Sequence, residues 1–448
     1  MRERIGYRLR PIRPQPPQPV AFSHLDLSQL NVPLPCLFIY KNDNPASAPF
    51  MPTDALLAGL QRAVDMHPVL YGRLGHAASG LPEIQPSTEG VRIYVADVAY
   101  PIAAFDGSWS HATTCRGLGV PTWLVTEQKM LFGAKITRFA GNTGVAIAIV
   151  QHHYCVDIYS LVKFIGAWAS FVRGETPEAP LLDRTLLRGH PRPPASDCRQ
   201  ALASVMPLAK PSAVTCIGAM LRISAANIAA LKAVVAESLP TLNGHSNNSN
   251  DDDIAWVSTA NALGALLYRA RLRATQRPPD APCHLGYPVN LRFLFPDLVP
   301  RNYFGNALVS ATVTSTAGDI LGRPIGHLAA RLRQAGNAFT RERIADKIDE
   351  LAALLAAWPP SRETHQYILG TDCCYSDWTK FELQSLDFGQ GHPICVRSPR
   401  TAPISPTCLL RNMLPGQDGM EVYLVDDSVH IARMKQDKEL LAYFEWIG

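Results

Sequence analysis

The sequence predicts an α/β protein with mixed sheets, divided into two domains. Three observations carry this reading. At 448 residues the chain exceeds what one core ordinarily organises, so two domains of roughly 200 residues each are expected. Strand-like apolar runs alternate with segments of helical period along both halves. Between the halves lies GHPRPPASDCRQALASVMPLAKPSA (189–213), rich in Pro and Ala and without a period, which reads as a crossover linker. Hydrophobic residues at 47% against charged residues at 18% add a generous interior.

The elements follow in order. The N-terminus, MRERIGYRLRPIRPQPP, carries Arg2, Arg4, Arg8 and Arg10 but no apolar core segment, so it reads as a solvated basic arm and not as a secretory leader. An apolar strand is expected at 36–40. Residues 52–64 read as a helix capped at Thr53, with Leu56, Leu57, Leu60 and Val64 on one face. Residues 80–94 read as a hairpin, 129–139 as a strand, and Asn142, Thr143 and Gly144 as a turn. Beyond the linker, 221–236 reads as strand then helix, and NGHSNNSNDDD (243–253) as a polar surface loop. Ser258 can cap a helix over 258–273. Strands are expected at 283–292, 308–313 and 421–425, a largely helical stretch at 323–356, and a last helix at 426–444. No repeat of 20–50 residues is visible.

Composition excludes some classes of function. The 42 basic and 38 acidic side chains leave a net charge of +4, which gives no footing for a nucleic-acid partner. No apolar run approaches the ~20 residues that span a bilayer, and the C-terminal FEWIG lacks lipidation and peroxisomal patterns. Ten cysteines without regular spacing read as reduced thiols, and no C-x-x-C pair suggests zinc. A cytoplasmic protein without membrane, nucleic-acid or metal partners is expected.

Chemistry is expected in residues 145–172, VAIAIVQHHYCVDIYSLVKFIGAWASFV. Residues 145–150 form a continuous, largely β-branched run, a strand buried on both faces. From Asp157 the period becomes helical, with Ile158, Leu161, Val162, Ile165, Trp168, Ala169 and Val172 in step. His152, His153 and Asp157 occupy the junction, a costly place for polar groups unless they are paired or used. H-x-x-x-D at 153–157 offers His153 either as a general base near neutral pH or as a hydrogen-bonded core histidine. His152 is the weaker candidate, because neighbours at a strand end point to opposite faces. A metal site lacks a fourth ligand, and nothing in the pattern lowers the pKa of Cys155 to make it a nucleophile. Downstream, Asp387, Gly389 and Gly391 form D-F-G-x-G, whose glycines suit a tight structural turn.

Together, in order and separation, these motifs resemble those of the BAHD family of coenzyme A-dependent acyltransferases. HHYCVD is similar to the family's H-x-x-x-D, and DFGQG to its D-F-G-W-G. The likeness extends along nearly the whole chain. HPVLYGRL (67–74) resembles Y-P-x-x-A-G-R-L, LLDRTLL (181–187) resembles P-x-x-D-R-x-x-L, and VNLRFLFPDLVPRNYFGN (289–306) resembles D-x-R-x-R…P-x-x-Y-F-G-N. YSDWTKFELQSLDFG (375–389) resembles the family's T-S-W stretch at the same distance before D-F-G.

The resemblance implies two chloramphenicol-acetyltransferase-like domains with a channel between them. Residues 1–188 would form the first, joined by 387–409 returning from the second; 214–386 and 410–448 would form the second. Acyl-CoA, with acetyl-CoA the commonest donor by family habit, would be the co-substrate, a small-molecule alcohol the acceptor, and the enzyme a monomer. His153 would take the hydroxyl proton for direct attack on the thioester. Ser376, matching the Thr of T-S-W, would be either an oxyanion donor or a turn residue. Asp157 would point away from the site and pair with Arg292, a structural role. Arg269, Arg271 and Arg273 are candidates for the coenzyme phosphates, or else a solvated helix end.

The chain also departs from the family pattern. Ile158 stands where the family usually has Gly, Gln390 replaces the tryptophan, and Asp377 replaces the serine of T-S-W. Asn290 and Leu294 replace the aspartate and second arginine of D-x-R-x-R. None of these removes the base. The changes and the Pro-rich chain resemble fungal members of specialised metabolism more than plant ones. Two other uses of the fold stay open: a cyclisation catalysed by His153, and a silent small-molecule binding protein.

Overall fold

The apolar run at 145–150 sits at the heart of the first domain. In the computed structural model, which describes residues 2–12, 18–46, 49–105, 117–190, 216–239, 254–358, 360, 372–397, 407–412 and 418–447, the strand Gly144–His152 is buried at every position. It pairs antiparallel with Phe132–Phe139 on one side and Pro33–Lys41 on the other. These three strands belong to a six-stranded sheet in the order Arg2–Leu9, Val91–Val98, Phe132–Phe139, Gly144–His152, Pro33–Lys41, Cys395–Arg397. One pairing, Val91–Val98 with Phe132–Phe139, is parallel, so the sheet is mixed. Helices Thr53–Met66 and Ile158–Val172 pack together beside it. Gly59 permits their close approach, since a Cβ there would lie 2.5 Å from Val172 Cγ2, and Trp168 Nε1 donates to the Leu56 carbonyl at 2.8 Å.

The second domain is a seven-stranded sheet in the order Leu308–Thr316, Pro282–Asn290, Cys373–Asp377, Thr407–Asn412, Met420–Asp427, Cys216–Ile223, Glu445–Trp446. It too is mixed, with Cys373–Asp377 parallel to both neighbours. Its central helix, Thr259–Thr275, is buried along most of its length and begins at Ser258, whose Oγ accepts the Asn261 amide at 3.1 Å. A small third sheet joins Val20–Ala21, Pro82–Gln85 and Arg73–His76. The two domains share packing: Phe304, Trp378, Phe381, Leu383, Leu386 and Phe388 complete the core of the first.

Several expectations are corrected. The basic N-terminus is no free arm; Arg2–Leu9 is an edge strand paired with 91–97. The stretch 80–94 is not one hairpin. Pro82–Gln85 folds back on Arg73–His76 through a turn at Gly80 (φ 84°), while Val91–Val98 joins the other sheet after Gly90 (φ 77°). Thr53 is the first helical residue, Pro52 takes the cap position, and no side chain caps the end. The last helix breaks into Ser428–Met434 and Lys438–Leu441, where Asp437 caps a new start. Cys395–Arg397 pairs with the first sheet, and Thr407–Asn412 with the second. Residues 191–213 of the crossover and the loop 243–253 lie outside the described residues.

Candidate active site

The junction expected to carry chemistry is a turn between a buried strand and a buried helix. Asp157 is the N-cap of Ile158–Val172 in extended backbone (φ −88°, ψ 174°), and its Oδ1 accepts the Ser160 amide at 2.9 Å. The polar residue that ends the apolar run therefore also starts the helix.

The two adjacent histidines are held in opposite tautomers. His152 is 1% exposed, and its Nδ1 accepts the Tyr154 amide at 3.1 Å. Its proton must then sit on Nε2, which donates to Asn31 Oδ1 at 3.0 Å. Burial, with the charges of His153 and Lys129 after it, holds its pKa down at about 3, so it is a neutral core histidine. His153 is half-buried, and its Nδ1 lies 3.2 Å from the Val156 carbonyl. A carbonyl only accepts, so Nδ1 carries the proton and Nε2 the lone pair. The backbone of His153 is pinned at both ends: its amide donates to Val32 O at 2.9 Å, and its carbonyl accepts from Asn306 Nδ2 at 2.8 Å.

Asp157 faces away from this ring. Its Oδ2 accepts from Arg292 Nη1 at 2.7 Å and from the Ala307 amide at 3.0 Å, with both side chains wholly buried. The rest of the Arg292 guanidinium is engaged by Ser160 Oγ at 2.9 Å and by the carbonyls of Tyr303 and Gly305 at 3.0 and 2.8 Å. Asn290, in the position of the family's aspartate, still supplies an acceptor: its Oδ1 takes the Arg292 amide at 3.0 Å and Nη1 at 3.2 Å. His152, His153 and Asp157 thus diverge to separate partners.

A second buried pair underlies the same turn and has no counterpart in the sequence reading. Arg184 Nη1 meets Asp26 Oδ2 at 2.5 Å, and Arg184 Nη2 donates to the Cys155 carbonyl at 2.8 Å. Asp26 Oδ1 accepts the backbone and side-chain amides of Asn306 at 2.8 and 2.9 Å. The signal was present in LLDRTLL, whose arginine carried no assigned role; its partner Asp26 lies 158 positions away. The Cys155 thiol beside this pair is buried, and burial pushes its pKa up to about 11 against the pull of Arg184.

The remaining candidates spread over two clefts between the domains. Ser376, next to the last residue of the strand Cys373–Asp377, lines a cavity of about 390 Å³ together with Ile158, Ser258, Asn261 and Asn290. Its Oγ accepts from Trp378 Nε1 at 3.0 Å. A neighbouring cavity of about 550 Å³, lined by His67, Tyr159, Lys163 and Arg301 among others, shares Phe293, Lys380 and Phe381 with the first. Arg269, Arg271 and Arg273 line neither. Arg269 donates to the carbonyls of Ile320 and Arg323 at 2.8 and 2.7 Å, Arg271 meets Asp426 at 2.5 Å, and Arg273 meets Asp437 and Glu439 at 2.7 and 2.6 Å. Their charges are met inside the second domain, which counts against the phosphate role expected of them. The D-F-G-Q-G turn borders the second cavity through Asp387. Asp387 Oδ1 accepts the amides of Gly389 and Gly391 at 2.7 and 2.9 Å, both glycines with positive φ (97° and 104°). Phe388, between Asp387 and Gly389, packs against Tyr40 and Trp168.

Comparison with known proteins agrees with this arrangement. A family model described as the Transferase family matches residues 5–441. The putrescine hydroxycinnamoyltransferase 1 of Oryza sativa subsp. japonica is 26% identical over 454 residues, covering 94% of each chain. The shikimate O-hydroxycinnamoyltransferase of Nicotiana tabacum is 24% identical, covering 86% of this chain and 87% of its own. Among solved structures, F. graminearum TRI101 complexed with coenzyme A and T-2 mycotoxin shares the fold at a TM-score of 0.76 and 18% identity, over 96% of this chain and 100% of that one. Vinorine synthase follows at 0.70 and 18%, over 98% of each. With two large mixed sheets, an H-x-x-x-D turn at its core and a family match over nearly its full length, the chain belongs to the BAHD transferase family of acyl-CoA-dependent acyltransferases.

Proposed function

We propose that the enzyme moves an acyl group, acetyl in the first instance, from acyl-CoA to a hydroxyl of a small specialised metabolite, with His153 as general base. The observation that carries this is the tautomer of His153: its Nδ1 proton is committed to the Val156 carbonyl, which leaves a basic Nε2 on a turn pinned by Val32 and Asn306. In this reading Nε2 takes the acceptor's proton as the oxygen attacks the thioester carbon. The tetrahedral intermediate collapses with cleavage of the C–S bond, and the proton passes from Nε2 to the departing thiolate. General-base assistance of this kind is worth ~10²–10⁴ in rate. Ser376 supports the oxyanion: the Trp378 indole occupies a lone pair on Oγ, so the hydroxyl hydrogen remains to donate within the cavity that Ser376 lines. Such a donor is worth ~10²–10³.

The cavity around Ser376 is the donor cleft in this reading, of a size that suits the pantetheine arm. Ile158, a branched side chain at its wall where the family usually has glycine, favours a short acyl group. The relatives supply a second reading. Their names specify hydroxycinnamoyl transfer, to oxygen in the tobacco enzyme and to nitrogen in a 5-hydroxyanthranilate N-hydroxycinnamoyltransferase of Avena sativa. The enzyme acts in either case as a cytoplasmic monomer without metal, membrane or nucleic-acid partner.

Thiol release measured with acetyl-CoA and a hydroxycinnamoyl-CoA, each against panels of alcohols and amines, tests both. Acceptor-dependent release fastest with acetyl-CoA and an alcohol is expected. Preference for the aromatic donor or an amine would replace the first reading by the second. Absence of release with every pair, alongside a mass-neutral change in an offered metabolite, would point to the cyclisation use of the fold.

A further inference from the structure

Each backbone carbonyl of the turn that carries His153 has a donor. That of His152 accepts the Cys155 amide at 2.8 Å. Those of His153 and Tyr154 accept from Asn306 Nδ2 at 2.8 and 3.3 Å, and that of Cys155 accepts from Arg184 Nη2 at 2.8 Å. The Val156 carbonyl takes the His153 Nδ1 proton at 3.2 Å. Donors from outside the turn therefore decide which carbonyl receives the proton of the ring. Asn306, just ahead of the strand Leu308–Thr316, is wholly buried, and its amide can face only one way. Its Nδ2 sits between two acceptors, the His153 carbonyl and Asp26 Oδ1 at 2.9 Å, while its Oδ1 has no partner among the described residues. Asp26 fixes Asn306 a second time, because the same carboxylate oxygen takes the Asn306 backbone amide at 2.8 Å. Asp26 Oδ2 is held in turn by Arg184 Nη1 at 2.5 Å and the Ser23 amide at 2.9 Å.

We propose that Asp26 is a positioning residue for the base: acting through Asn306, with Arg184 as its counter-ion, it keeps the proton of His153 on Nδ1. With the preceding carbonyls engaged, the ring proton goes to Val156 and the lone pair stays on Nε2. Without the Asn306 donor, two carbonyls of the turn compete with that of Val156 for the ring proton. A ring released from Val156 carries its proton on either nitrogen, and a proton on Nε2 leaves no lone pair for the acceptor hydroxyl. This rests on the reading of His153 as the base. The two buried pairs under the turn then have different tasks. Asp157 and Arg292 hold the start of the helix, and Asp26 with Arg184 holds the tautomer.

Proton–nitrogen correlation NMR of the full-length protein, with isotope-labelled histidine, reads the tautomer of each ring. The His153 signals are those that disappear in His153→Gln. In the wild type His153 should carry its proton on Nδ1. Asn306→Ala and Asp26→Asn should each bring the Nε2–H form into the His153 signals. Both should lower kcat by ~10-fold per folded molecule, a part of the ~10²–10⁴ that general-base assistance supplies. KM for acyl-CoA should stay within about 2-fold, because what is lost acts in the transition state. Asn306→Ala leaves the Asp26–Arg184 pair intact, so the measurement stands even where Asp26→Asn fails to fold. A His153 ring that keeps its proton on Nδ1 in Asn306→Ala would overturn the positioning role, whatever happens to stability. A shifted tautomer with an unchanged kcat would overturn the reading of His153 as the base instead. A wild-type ring already protonated on Nε2 would overturn both.

Discussion

Asp157 and Arg292 stand 135 positions apart and meet at 2.7 Å, wholly buried, where the turn bearing His153 in one domain touches the chain of the other. Both carry their polar atoms to buried partners other than the His153 ring. What they hold is the start of the helix Ile158–Val172 against the segment Tyr303–Ala307, and with it the register of the His153 turn.

A double-mutant cycle checks this pairing. Asp157→Asn and Arg292→Gln, each of which removes one charge and keeps a polar side chain, should each lower stability by ~3–5 kcal/mol, since each leaves a buried partner uncompensated. The double variant should lose less than the sum in urea unfolding. Additive losses would mean that the two charges do not depend on one another.

The opposite tautomers of the neighbouring histidines separate their functions. His153→Ala should fold and lose ~10²–10⁴ of its acyl-transfer rate. His152→Gln, which can still accept from the Tyr154 amide, should keep most of its rate per folded molecule. Equal losses in the two variants would remove the assignment of the base to His153.

Stability should fall on the acid side of neutrality, and the sign follows from two buried histidines. Burial lowers His67 to about 4 and His152 to about 3, both below the ~6.5 of an unfolded chain. The unfolded state thus takes up protons first. Their contribution is complete above about pH 6.5 and is lost as pH falls toward those folded values, at up to ~1.4 kcal/mol per pH unit for each group. Urea unfolding at pH 7, 6 and 5 measures the slope. His152→Gln should flatten it. An unchanged slope in that variant would show that His152 takes up protons in the folded protein as readily as in the unfolded chain.

How much of this was legible in the sequence depends on the range of the interaction. The strand at 145–150 and the helix after Asp157 are set by local period, and the Ser258 cap by its own first turn. The pairing of Asp26 with Arg184 is not legible locally: LLDRTLL marks the arginine, but nothing near it points to Asp26, 158 positions away. The same holds for 80–94, where two strands in sequence go to different sheets for reasons that lie in Arg73–His76 and Arg2–Leu9. Arg269, Arg271 and Arg273 looked like surplus charge because Asp426, Asp437 and Glu439 lie more than 150 positions downstream. Motif order located the His153 turn; only coordinates could show which nitrogen of each ring is committed.

Cys155 should be dispensable for the chemistry. Burial holds its thiol protonated at neutral pH, with a pKa near 11, and Arg184 serves its backbone carbonyl. Cys155→Ala should keep the transfer rate within a few-fold. Mass spectrometry of enzyme incubated with acyl-CoA and no acceptor should find Cys155 unmodified. An acyl adduct there would replace direct attack by a two-step covalent route.

The last test concerns Gln390, where the family has tryptophan. Its Oε1 accepts the Met51 amide at 2.6 Å, across 339 positions, and Met51 itself sits at positive φ (45°) with its carbonyl held by Arg138. The side chain therefore fastens the D-F-G-Q-G turn to the first domain and does not serve the reacting atoms. Gln390→Ala should cost ~1 kcal/mol, the worth of one such hydrogen bond. Gly389→Ala and Gly391→Ala should each cost ~1–3 kcal/mol through backbone strain at φ 97° and 104°, with Gly389 the worse because its new Cβ would lie 3.3 Å from Arg173 Cγ. In all three, the rate per folded molecule should stay near that of the wild type. A Gln390→Ala variant with an intact melting temperature but a rate lowered ~100-fold, ~2.7 kcal/mol in the barrier, would move this motif from the scaffold to the reacting centre.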